Sequence, residues 1–374
     1  NERDADKRLR VGYLSGDFRR HAAGYFIEPL IVGHVMAKEG RAAIDVFCYH
    51  DHSLGDEVTA RLRAAVGEGW REAHGLSDEE LAARIAADGI DVLVECSGHT
   101  AGSRLAMVAG RVAPVQATTL LGHGGTTGVA AVDYILADEV LVPPGSEGDF
   151  SEDVVRIEGV FAPFRPDPGW PEVAAEQEGP VRFGCFADPA RIVAELVAAW
   201  GRILAAVPGA RLLLKHRSYE DAEMALYWRE RFKGLGERVE LEGIEGGWGQ
   251  HMGVYERVSA MLDTYPVTGA SSTLIPLWMG VPVVTRAGRR VAERFGAALL
   301  TAAGLTELVA ADGKGYEAIA VGLGRDAARR RALRAGMRAR LAASTLCDAD
   351  AQARAHERAY RAMWRTWCRQ PRDR

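Results

Sequence analysis

Four loops in this chain hold side chains suited to chemistry, and each follows a strand-like run. The first, Ser15-Gly-Asp-Phe-Arg-Arg-His21, comes directly after Leu9-Arg-Val-Gly-Tyr-Leu14. An imidazole at a strand end can hydrogen-bond a sugar hydroxyl or a leaving phosphate, or move a proton near neutral pH; it can equally be an ordinary surface histidine. The second, Glu95-Cys-Ser-Gly98-His99-Thr100, follows Asp91-Val-Leu-Val-Glu95. Gly98 permits close backbone approach there, and His99 and Thr100 offer polar contacts, although Thr100 could simply cap a helix. The third, Leu121-Gly122-His123-Gly-Gly-Thr-Thr-Gly128, is of the glycine-rich kind whose amides hold a phosphate or a sugar. Its spacing matches neither GxGxxG nor a Walker loop, so a plain tight turn remains open.

The fourth loop lies in the second half. Asp263-Thr-Tyr-Pro-Val-Thr-Gly-Ala-Ser271-Ser272-Thr273 precedes the helix-compatible run Leu274 to Met279. Hydroxyls and amides at a helix start make an anion site suited to a diphosphate, whereas capping alone explains one hydroxyl and not three. Arg191, ahead of a helix, and Lys215, at a strand end, are candidate cations, each alone no more than an ordinary surface charge. No carboxylate/His cluster has ligand spacing and no Asp-x-Asp ends a strand, so neither a metal nor another cofactor is expected.

The elements that must position these loops alternate along the chain. Strand-like Ile44–Tyr49, Val115–Leu121 and Tyr134–Ala137 join the two runs above, with helical runs Tyr25–Met36 and Asp56–Val66 and a capping box, Ser77-Asp-Glu-Glu80, between them. After a stretch rich in Pro, Gly and acidic residues, the alternation resumes. Strands are expected at Val181–Phe186, Arg211–Lys215, Val239–Leu241, Ala260–Asp263, Pro282–Thr285 and Glu307–Ala310, and helices at Val193–Val207 and Ala222–Phe232. A helical tail runs from Tyr316 to Trp367. The fold class is therefore α/β: two Rossmann-like, doubly wound lobes with a cleft between them and a C-terminal helix. The expected boundaries are 1–150 for the first lobe, 151–180 for a linker, 181–345 for the second lobe and 346–374 for the closing helix.

Composition narrows the classes. The chain has 374 residues, a net charge of −5, 48% hydrophobic and 26% charged residues, which suits two globular domains and excludes wholesale disorder. No run approaches the ~20 apolar residues of a membrane span. The charge exerts no pull towards nucleic acid, and Arg329-Arg330-Arg331, set among Ala and Leu, reads as a solvated helix face. Five scattered cysteines without a CxxC pair argue against a disulfide framework or zinc site. With a densely charged first ten residues that carry no signal-like apolar stretch, they suggest a reducing, cytoplasmic setting.

Ordered blocks along nearly the whole chain resemble the catalytic region of the O-GlcNAc transferase and SPINDLY-like family, its bacterial members in particular. They include Arg10-Val-Gly-Tyr-Leu-Ser-Gly-Asp-Phe18 with His21, Ser97-Gly-His-Thr100, Ala113-Pro-Val-Gln116, Phe183-Gly-Cys-Phe186, Leu262-Asp-Thr264, Gly280-x-Pro282-Val-Val-Thr285 and Tyr360-Arg-x-Met-Trp364. The resemblance implies a metal-independent, inverting glycosyltransferase of the B type that moves a sugar from a nucleotide donor to Ser/Thr of an acceptor protein. It also implies tetratricopeptide repeats ahead of this region. By resemblance His21 is the active-site histidine, which orients a substrate or takes a proton. His99 and Thr100, with Gly122 and His123, line the sugar and acceptor side. His251 packs near the base, Trp248 stands where a base-contacting Lys can occur, and Ser271 and Ser272 replace a diphosphate-binding Thr pair. Arg191 replaces a phosphate-binding Lys, and Lys215, Asp263 and Thr273 complete the nucleotide set. The implied donor is UDP-GlcNAc. Departures at Ala270, Ile275, Gly122–Gly125 and Phe186-Ala-Asp188 fall around base, ribose and sugar, and keep open GDP-fucose or a CMP-linked nonulosonic acid such as is used on flagellins. A non-catalytic module that binds a sugar nucleotide or a protein is the reading from another class.

Overall fold

The structure, a computed structural model, describes residues 2–36, 44–121, 124–244 and 248–371. The chain divides into two compact units: one runs to Arg165 and resumes at Thr345, and the other is Pro166–Ser344. The first holds strands β1 (Leu9–Ser15), β2 (Ile44–His50), β3 (Trp70–Glu72), β4 (Val92–Glu95), β5 (Val115–Thr119), β6 (Tyr134–Ala137) and β7 (Asp153–Arg156). Between them lie helices α1 (Gly24–Val35), α2 (Glu57–Val66), α3 (Asp78–Ala87) and α4 (Leu105–Val108). Every strand pairing is parallel, in the order β3-β2-β1-β4-β5-β6-β7.

The second unit repeats the plan with β8 (Arg182–Cys185), β9 (Arg211–Lys215), β10 (Val239–Glu242), β11 (Ala260–Leu262), β12 (Val283–Arg286) and β13 (Val309–Ala310), in the order β10-β9-β8-β11-β12-β13. Its helices are α5 (Ala194–Ala206), α6 (Ala222–Arg231), α7 (Trp248–Gly253), α8 (Ser271–Trp278), α9 (Phe295–Ala302), α10 (Gly313–Arg325) and α11 (Ala327–Ala342). Helix α12 (Ala349–Arg369) then returns to the first unit.

Both faces of the first sheet are buried, as parallel sheets require. Val11, Tyr13, Cys48, Val92 and Val94 point to one face, under α1, α2 and α12. Their neighbours Leu14, Tyr49 and Leu93 point to the other, under α3 and α4. Helix α12 lays a stripe of Ala353, His356, Tyr360, Met363 and Trp364 inward at helical spacing. Two of its polar residues are engaged: Glu357 meets His34 Nδ1 at 2.9 Å, and Tyr360 Oη lies 2.9 Å from Tyr13 Oη, itself 2.9 Å from His34 Nε2.

Several expectations change. The first unit extends past residue 150, because β7 lies within the expected linker; β3 was also unforeseen. Both are edge strands of four and three residues with mixed burial, so neither shows the apolar run of an inner strand. The tail is three helices, interrupted where Asp326 and Asp348 accept from Arg329 N and Ala351 N as N-caps. The last of them, 346–374 in expectation, belongs to the first unit. Arg330 is not on a solvated face: it is buried against Glu176 at 2.8 Å, and Arg334 donates to Val258 O at 2.6 Å. With Arg338 on Glu172 at 3.0 Å, these arginines tie the proline-rich stretch to α11. The Ser77/Glu80 capping box forms as expected.

Candidate functional site

In each sheet the chain builds outward from a central strand on one side and then resumes on the other. The switch falls between β1 and β4 in one unit and between β8 and β11 in the other. Ligands of open α/β sheets bind beyond the carboxyl ends of the strands at such a point. The loops carrying His21 and His99 flank the first switch, and those carrying Arg191 and Ser271 flank the second.

The loop after β1 is tied down by Thr59 of α2, whose hydroxyl donates to Phe18 O at 2.7 Å. At its end His21 Nδ1 lies 3.2 Å from Asp17 Oδ1 and 3.3 Å from the Ala23 amide. One nitrogen cannot serve both as donor and as acceptor, and the shorter, charge-assisted contact favours Nδ1–H aimed at the carboxylate. Nε2 then carries the lone pair. The side chain is 38% exposed, which leaves it open to a ligand. Burial works against ionisation of Asp17, but the hydrogen bond and charge of His21, followed by the charge of Arg19, outweigh it and hold the carboxyl below its usual range. Asp17 was not singled out from the sequence; its i, i+4 spacing to His21 within one loop was the available signal.

Glu95, at the end of β4, is buried and accepts from Ser97 N and Gly98 N, both at 2.8 Å. Gly98 has φ +52°, which favours glycine. His99 and Thr100 are exposed just beyond. His99 Nε2 lies 3.1 Å from Thr126 O, so this loop is coupled to the glycine-rich one, which is itself anchored by Thr126 Oγ1 and Thr127 N on Glu152 (2.7 and 2.8 Å). The Thr100 hydroxyl is spent within its own loop, donating to Ser97 O at 2.6 Å. Gly122 and His123 lie outside the described residues.

In the second unit, α8 begins without a side-chain cap. The amides of Thr273 and Leu274 bond to Ala270 O, at 3.0 and 3.1 Å. Among the described residues the amides and hydroxyls of Ser271 and Ser272, all half-exposed, have no hydrogen-bond partner. They form a cluster of donors at a helix start. Arg191 Nη1 reaches Thr268 O at 3.3 Å, which brings its charge to the same loop. Thr273 departs from expectation: its hydroxyl is fully buried and donates back to Gly269 O at 2.9 Å. Asp263 departs too, being buried with both carboxylate oxygens engaged by the protein. Lys215 is buried, its ammonium donating to Gly243 O at 2.7 Å, with Glu242 at 3.9 Å. His251 packs against Tyr255 and Phe186 at ring distances of 6.1 and 6.3 Å. Burial first, and the charge of Lys215 second, push its pKa down to about 4, so it is a neutral ring at pH 7. Trp248 opens α7; its side chain lies outside the described residues.

The geometry has counterparts among known proteins. A SPINDLY protein of Petunia hybrida, named a probable UDP-N-acetylglucosamine–peptide N-acetylglucosaminyltransferase, is 33% identical over 98% of this chain and 40% of its own length. The Arabidopsis thaliana protein SEC, named for the same reaction, is 27% identical over 97% of this chain and 38% of its own. The chain thus spans about 40% of the length of the curated relatives it matches. A mutant of the O-GlcNAc transferase of Thermobaculum terrenum superposes with a TM-score of 0.91 at 38% identity, covering 98% of this chain and 70% of that one. Both lobes therefore have the Rossmann-like fold of B-type glycosyltransferases, and no helix among the described residues is long and apolar enough to cross a membrane. Residues 1–162 and 177–355 match one family description, and the chain belongs to glycosyl transferase family 41.

Proposed function

We propose that this chain is the catalytic part of a metal-independent, inverting protein O-glycosyltransferase that moves GlcNAc from UDP-GlcNAc to Ser or Thr of an acceptor protein in the cytoplasm. The observation that carries the reading is identity of 33–38% across 98% of the chain to proteins named for that transfer, joined to donor groups at the second switch point. Ser271, Ser272 and Arg191 take the diphosphate, and the neutral His251, beside Phe186, offers an aromatic contact to the base. The acceptor oxygen attacks the anomeric carbon as the bond from that carbon to the phosphate oxygen breaks, through an oxocarbenium-like state. The electron pair of the broken bond stays on the nucleotide, where the helix start and Arg191 stabilise it. The hydroxyl proton passes to His21 Nε2, with Asp17 holding Nδ1–H and stabilising the imidazolium. The full protein's acceptors and any repeats ahead of this region belong to the same proposal.

A panel of UDP-GlcNAc, GDP-fucose and a CMP-nonulosonic acid tests the donor. UDP-GlcNAc should raise the melting temperature and support transfer to a Ser/Thr peptide library at equal rates in EDTA and in Mg²⁺. Stabilisation by another donor alone would replace UDP-GlcNAc, and binding without transfer would favour the non-catalytic module. Activity abolished by EDTA and restored by metal would end the metal-free mechanism.

A further inference from the structure

Asp263 stands at the second switch point, yet no step of the proposed transfer uses it directly. It directly follows β11, and its side chain is buried. Oδ1 accepts from Thr264 N at 2.9 Å and from Gly269 N at 3.0 Å, while Oδ2 accepts from Thr285 Oγ1 of β12 at 2.7 Å. Those bonds hold both ends of the loop 264–269 against the sheet, immediately before the Ser271-Ser272 helix start. Its carbonyl is fixed as well, accepting from Tyr316 Oη of α10 at 2.9 Å. The carboxylate fits closely: a Cβ at Gly296, in the first turn of α9, would come within 2.5 Å of both Asp263 Oδ2 and Thr285 Oγ1. Arg191 is the cation that acts on it, and Cys185 on β8 and Tyr316 are the other ionisable groups coupled to it.

The first lobe contains the same device. Glu95, ending the strand across its own switch point, accepts from two amides of the following loop and lies 3.5 Å from Thr118 Oγ1 on the next strand. Two independent occurrences of carboxylate, loop amides and next-strand threonine mark the arrangement as a loop-setting one.

We propose that Asp263 is a positioning residue for the donor: its carboxylate sets the loop so that the Ser271 and Ser272 donors and the Thr268-held Arg191 converge on one anion. The inference rests on the phosphate placement proposed above. Because the donors that the loop sets are the ones assigned to phosphate, its disturbance should lower affinity for UDP and spare uridine.

The test measures UDP by calorimetry and uridine by ligand-observed NMR, with melting curves of the free proteins. Asp263→Ala removes all three bonds and should weaken UDP on the order of tenfold while uridine changes by less than about twofold. Asp263→Asn keeps an acceptor for the two amides and should recover most of the UDP affinity. If the Ala variant does not fold, Thr285→Val, which preserves shape and removes one bond, carries the same UDP/uridine comparison. Equal losses for UDP and uridine, or parental UDP affinity in a folded variant, would overturn the positioning role. A Ser271→Ala/Ser272→Ala variant with parental UDP affinity would instead overturn the phosphate placement, and this proposal with it; the two failures are separate measurements.

Discussion

The two lobes share a strand order around the switch point and a buried carboxylate set beside it, but their loops present opposite chemistry. In the first lobe the loops after β1 and β4 present imidazoles, His21 backed by Asp17 and His99 coupled to Thr126 O. In the second, the loops after β8 and β11 present a guanidinium held on Thr268 O, together with two hydroxyls and two amides that have no hydrogen-bond partner among the described residues. One set offers imidazole nitrogens able to take a proton; the other is rich in donors for negative charge. A duplicated scaffold therefore determines where groups stand, and a handful of loop side chains decide what each lobe does.

That division is most exposed at His21. His21→Ala should lower the turnover number on the order of 10²–10⁴-fold, the usual loss of a positioned acid–base group, with UDP affinity unchanged. Single-turnover rates at saturating donor, beside a melting curve, read both quantities. A stable variant that transfers sugar within about twofold of the parent would break the assignment of proton chemistry to the first lobe.

Asp17→Asn sharpens the same contrast with a smaller effect. Asparagine keeps an acceptor near His21 Nδ1 and removes the charge that favours the imidazolium, so the turnover number should fall on the order of 10–100-fold. The Asp17 carboxyl is held below the usual range by its partners and stays ionised from pH 5 to 8, so the variant should lower the rate–pH profile without adding a limb. An altered UDP affinity with an unaltered turnover number would place the pair in binding rather than in proton transfer.

Much of this was legible in the residues, for physical reasons that also explain the gaps. Inner strands such as Arg211–Lys215 and Tyr134–Ala137 appear at their expected bounds, because apolar side chains facing two buried surfaces leave an unbroken signal. Edge strands β3 and β7 lack that signal. His21, Ser271 and Ser272 lie in switch-point loops, where the strand-like runs before them had put them, and Arg191, expected ahead of a helix, lies in another such loop. For Asp263 and Thr273, residue type shows hydrogen-bonding capacity and not whether it is consumed: both lie in the expected loop, and their side-chain oxygens bond inside the lobe. Arg330 looked solvated among alanines for a related reason, since its partner, Glu176, comes from a distant part of the chain.

The smallest expected effect tests whether the two carboxylates are equivalent. Burial raises the Asp263 pKa from 3.8 to about 6 against the hydrogen bonds it accepts, and burial raises Glu95 from 4.5 in the same direction. Where a carboxyl is raised on folding, the native state binds more protons than the unfolded chain between the two values. Stability from that group is then full below the unfolded pKa and declines as pH rises through the folded one. Asp263→Asn and Glu95→Gln each remove one such decline. The melting temperature of either variant, relative to the parent, should therefore climb by a few °C between pH 4 and 6.5. Asp17, Asp56 and Glu152 are shifted downward and act in the opposite sense, but parent and variant share them, so the difference isolates the substituted group. Parallel curves for both variants would mean that the carboxylates ionise as though exposed, leaving a likeness of geometry alone. A slope lost in one variant and kept in the other would show that the lobes copied the hydrogen bonds but not the electrostatics behind them.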